Sequence, residues 1–94
     1  MRKIELKERE KFNDKELLTT VCENHGEQGI TIGEMRVLVK VLDKLQVANG
    51  ELLLEDAEWT ALHNRFNNFK FAIASYDLTE LADSIEHAST VKQG

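Results

Sequence analysis

One stretch constrains this chain more than any other, the run from Gly29 to Gly50, GITIGEMRVLVKVLDKLQVANG. Thr31 followed three residues later by Glu34 is a capping box, in which each side chain satisfies a backbone N–H at a helix start. Asn49-Gly50 supplies the left-handed residue that commonly ends a helix. Between these signals lies a long apolar body. Placed at ~100° per residue, Val37, Ala48, Val41, Leu45, Leu38, Leu42, Met35 and Val39 cover roughly 200° of the wheel. An ordinary surface helix shows a stripe about half as wide. A helix over residues 31–48 with this arc expects partners on two or three sides, which predicts that it is the centre of the core.

At 94 residues the chain suits one domain with one modest core, spanning 1–94. Charged residues make up 31% and hydrophobic ones 41%, the balance of a folded domain rather than a disordered segment. The formal charge of −5 opposes wholesale nucleic-acid binding, which needs a basic surface. Cys22 is alone, so no internal disulfide can form, and a reducing compartment is the simpler expectation. The opening MRKIELKEREK lacks an apolar leader core, and no run approaches the ~18 apolar residues of a membrane span. The chain reads as cytoplasmic, with no membrane association.

Residues 2–7 alternate, with Ile4 and Leu6 on one side, as in a short strand or a frayed helix start. Asn13 and Glu16 repeat the capping-box spacing and start a helix whose inward stripe is Leu17, Leu18, Val21 and Cys22, ending at His25-Gly26. The ELLLED run at 51–56 reads as a strand or a helix lead-in; a strand at 51–55 is favoured, because Asp56 is a good N-cap. Trp59, Leu62, Phe66 and Phe69 follow at the spacing of one helical face. Residues 69–74 are an extended link or a kinked continuation. Asp77 with Glu80 gives a further capping box, and Leu78, Leu81, Ala82, Ile85 and Ala88 the last helical stripe. Residues 89–94 read as a frayed tail. The expected fold is mainly α: about four helices around the helix at 31–48, with a short two-stranded ribbon of 2–7 and 51–55. In its core, Leu38, Leu42 and Leu45 are expected against Trp59, Leu62 and Phe66 on one side and Leu81 and Ile85 on the other.

Candidate chemistry is sparse, and no enzyme, metal or cofactor is expected. Cys22 and His25 have a C-x-x-H spacing, but a structural zinc site needs four ligands in two pairs. His63 and His87 have no hydroxyl or thiol partner at motif spacing. Glu51, Glu55, Asp56 and Glu58 crowd one helix start, where carboxylates serve the helix dipole. Arg36, Lys40 and Lys44, spaced i, i+4 and i+8, form a basic row that could meet phosphate or an acidic partner. Arg65 and Lys70 interleave with aromatic residues, of which Phe71 alone lacks an evident core place. Arg36, Lys40, Lys44, Arg65, Lys70 and Phe71 are therefore the candidate partner contacts.

The run Leu17–Leu54 has the outline of a winged-helix DNA-binding domain, in LLTTVCENHGEQGITIGEM followed by VLVKVLDKLQVANGELLLED. Thr31–Gln46, however, is one uninterrupted apolar pattern with no room for two helices and a turn. Residues 29–66, through GITIGEMR, VLDKL, a glycine and LLLEDAEW, resemble the small acidic accessory proteins encoded by tailed bacteriophages and prophages. That resemblance implies a part in virion assembly or in binding a host protein. The functional expectation is a small non-catalytic protein-interaction domain. The alternative is a nucleic-acid-binding module built on the basic row. The excess apolar arc adds self-association, as a homodimer or larger assembly.

Overall fold

Ile4, Leu52 and Leu54 decide where the sheet forms, because each is buried while its chain neighbours face outward. The computed structural model describes residues 1–9, 12–24, 29–69, 71 and 75–90. Strand β1 (Arg2–Glu5) pairs antiparallel with β2 (Glu51–Leu54), setting Ile4 opposite Leu52 and Arg2 opposite Leu54. Of the three leucines in β2, only Leu53 points out. That alternation has the period of a strand, which answers the open reading of ELLLED. The expected ribbon forms, with strands slightly shorter than 2–7 and 51–55; its antiparallel orientation is one the alternation alone does not fix.

Four helices complete a mainly helical fold: α1 (Asp14–Glu23), α2 (Ile32–Val47), α3 (Asp56–Asn68) and α4 (Tyr76–Glu86). The Asn13 side chain accepts from the backbone N–H groups of Lys15 and Glu16, and Thr31 accepts from Glu34, so both anticipated caps form. Two other helix starts differ. Glu55, not Asp56, is the N-cap of α3, and Glu58 reaches back to its N–H at 2.9 Å. Ser75, not Asp77, caps α4, leaving Glu80 for an ion pair elsewhere. After α2, Gly50 turns into β2 at φ 81°, a left-handed conformation that glycine adopts without strain.

A third strand, β3 (Ser89–Thr90), pairs antiparallel with Lys3 and Arg2, giving the sheet order β2-β1-β3. These two residues fall in the stretch expected to be a frayed tail. A two-residue strand has no periodicity to read, and its backbone pairing exists only because β1 offers a free edge. Residues 91–94 of that tail lie outside the described residues. In chain order the elements run β, α, α twice over and then β, a repetition of architecture without a repeat in sequence.

The expected central helix α2 packs against α1, α3 and β2, and α3 shares the centre with it, packing against α1, α2, α4 and β2 and burying Leu62 and Phe66, whereas α4 packs on α3 and β1. Leu81 and Ile85 of α4 belong to the same buried cluster as Leu38, Val41 and Leu45 of α2, although α4 lies mainly against α3 and β1. On α2 the buried residues are Leu38, Val41 and Leu45, with Leu42 only half-buried. Among the described residues, no helix is long and apolar enough to cross a membrane.

Candidate protein-docking face

The wide apolar arc of α2 splits into two faces. One, made by Leu38, Val41 and Leu45, is buried against the neighbouring elements. The other carries Ile32, Met35 and Val39, which are 62%, 40% and 45% exposed. With half-buried Leu42, these four residues are spaced three and four apart, so they line one side of the helix as a stripe. Beside the stripe runs a groove of ≈ 270 Å³ lined by Met35, Leu38, Val39 and Leu42 of α2, by Ile30, and by Cys22 and Glu23 of α1. A second, more polar depression of ≈ 700 Å³ continues it, lined by Glu16, Thr19, Thr20 and Glu23 of α1 and by Leu42, Asp43 and Gln46 of α2, among others. The two share Glu23 and Leu42, so one channel follows the α1–α2 seam.

The basic row does not form one open patch. Arg36 and Lys40 are exposed, and among the described residues Arg36 has no ion-pair partner. Lys44 is bound to Glu58, which is itself nearly buried. Burial alone would raise the Glu58 carboxyl, but hydrogen bonds from Lys44 and the Glu55 N–H outweigh it and hold the group below its ordinary range. The folded state thus binds this proton less tightly than the unfolded chain. The resulting stability is present above the ordinary carboxylate range and is lost as pH falls through the lowered value. Glu58→Gln should cost about 1–2 kcal/mol at neutral pH. Urea midpoints of the two proteins should converge as the pH falls below the ordinary carboxylate range; a constant gap would show that the Glu58 charge contributes nothing.

Arg65 is occupied in holding an element. Its Nε–H donates to the Val21 carbonyl at 3.1 Å and its terminal nitrogen to that of Asn24, closing the C-terminal end of α1. Its guanidinium also lies 5.4 Å from the Phe69 ring centre. Phe71 has a core place after all, with ring centres 5.3 Å from Phe66 and 4.8 Å from Phe69. Lys70 lies outside the described residues, as does His25.

The remaining candidates have structural partners. Burial pushes the Cys22 thiol up to about 12, which leaves it inert at neutral pH. Among the described residues, no group of three or more His, Cys, Asp or Glu side chains is placed to hold a metal ion. Glu51 pairs with Lys3 at 3.7 Å and Asp56 with Arg2 at 3.3 Å. His63 stacks on Trp59 at 4.8 Å and pairs with Glu86, whose carboxyl the histidine holds below its ordinary range. Arg2 covers the same indole at 4.2 Å, and the Trp59 Nε1–H donates to the Ile85 carbonyl at 2.8 Å. These contacts lock α3 to α4 and β1. Exposed His87 caps α4.

No protein-family model matches the chain, and no curated protein or solved structure matches it either.

Proposed function

We propose that this chain is a non-catalytic protein-interaction domain and that it binds through the stripe of α2 and the channel beside it. The observation that carries this reading is the row of Ile32, Met35 and Val39, exposed on a helix whose adjacent face, Leu38, Val41 and Leu45, is taken up by the core. Single exposed apolar residues are ordinary; a contiguous row bordering an apolar groove marks a contact surface. Its shape suits a helix bearing an apolar stripe, which lays anchors at i, i+3 and i+7 into a groove. The likeness of residues 29–66 to phage and prophage accessory proteins rests on sequence alone. It adds the expectation of a role in virion assembly or host-protein binding inside a bacterial cell.

A photo-cross-linking residue placed at Val39 tests the reading directly. Illuminated in bacterial lysate at high micromolar concentration, it should give protein adducts, whereas the same residue at exposed Thr60 on α3 should give none. Absence of any adduct at position 39, with itself or with another protein, would sink the proposal.

A further inference from the structure

The docking face itself specifies an occupant. We infer that the helix seated on it is α2 of a second copy of this chain, antiparallel to the first across a two-fold axis; this rests on the protein-binding reading above. Ile32, Met35, Val39, Leu42 and Gln46 fall at alternating three- and four-residue steps, the a and d positions of a heptad. Rising ~1.5 Å per residue, this seam is about 21 Å long. It offers another helix of the same spacing a match along its length, at the shallow crossing of knobs-into-holes packing.

Charge decides the orientation. Along one edge of the seam, at the e positions, stand Arg36 and Asp43, both exposed and, among the described residues, without an ion-pair partner. Along the other edge the g positions are Leu38 and Leu45, which are buried in the core. A parallel pair sets e against g and would leave both charges facing apolar surface. An antiparallel pair sets e against e. With Val39 opposite the partner's Leu42 and Met35 opposite the partner's Gln46, Arg36 meets the partner's Asp43, and the two-fold repeats the contact. Sliding by one heptad would bring Arg36 against the partner's Arg36, so like-charge repulsion disfavours that register. A foreign basic helix, attracted by Glu16, Glu23 and Asp43 along the channel, would meet Arg36 unfavourably at the same edge.

Light scattering and disulfide trapping test this together. Wild-type protein should dimerise in the micromolar range, and Arg36→Glu should weaken the dimer about tenfold or more, with Arg36→Glu/Asp43→Lys restoring it. Under mild oxidation the double variant Met35→Cys/Gln46→Cys should form a covalent dimer, while Met35→Cys alone should not. Both positions are exposed, so neither change disturbs the core. Within one α2 they lie ~16 Å apart, too far for a disulfide to close inside a single chain. A covalent dimer from Met35→Cys alone would mean a parallel pair and would overturn the inference. A strict monomer at high micromolar concentration would do so as well. If Val39 then still cross-links to a different protein, the interaction reading survives and only the second copy is excluded. If Val39 cross-links to nothing, both fall.

Discussion

Replacing Asp14 by alanine should lower stability by about 3–5 kcal/mol, because a buried charge loses its bidentate partner and keeps only the more exposed Glu80 and Asp77. Asp14 is 0% exposed and the Arg9 side chain 5%. Arg9 grips the carboxylate with two nitrogens, at 2.7 and 3.2 Å, and donates from the third to Glu80 at 3.0 Å. Asp14 also accepts the Lys7 N–H at 3.0 Å, so one side chain ties the segment after β1 to the first turn of α1. These contacts hold the Arg9 guanidinium charged at every accessible pH, despite its burial. It cannot escape the loss of Asp14 by deprotonating. The double variant Arg9→Met/Asp14→Leu should recover much of the loss, because packed apolar groups can replace a buried pair. Urea melts of the three proteins decide this; a single variant within 1 kcal/mol of wild type, by the usual scale of surface substitutions, would show that the pair is not buried in solution.

Leu45→Ala should cost about 2–5 kcal/mol, through lost burial and the cavity left in a packed core. Leu45 is 0% exposed and lies on the face that α2 turns to its neighbours. Leu42→Ala, three residues earlier but half-buried at the edge of the groove, should cost only ~1 kcal/mol. The melts belong at submicromolar concentration, where association through the same helix does not add to apparent stability. With a urea slope of about 1–3 kcal/mol per molar, the two midpoints should separate clearly. Equal midpoints would mean that the two faces of α2 have been assigned the wrong way round.

The helices, their capping at Asn13 and Thr31, and the two strands of the ribbon were legible because each rests on local pattern: a capping oxygen, a period of 3.6 or a period of 2. The candidate site was legible only in outline. The wheel showed that α2 carries more apolar surface than one face can bury. It could not show which part the fold would leave open, since Leu38 and Leu42 are equal on a wheel until α1 and α3 occupy their places. Likewise Arg65 and Phe71 read as surface residues, because the Val21 and Asn24 carbonyls and the Phe66 and Phe69 rings reach them only in the folded chain.

Arg9 and Asp14 make the same point from the polar side. In sequence they are two unremarkable charges, and Glu80 is a distant third. Burial turned them into a pin, because the low dielectric around Arg9 strengthens every contact it makes and penalises every contact it loses. What the sequence determined by itself was whatever neighbours along the chain can settle: where helices start, which residues alternate, how much apolar surface must be covered. Only the tertiary structure decided that α3 shares the centre with α2, that Ser89–Thr90 complete the sheet, and that half of the apolar arc of α2 faces outward. Those outcomes depend on contacts between residues far apart in the chain, whose free energy no local pattern contains.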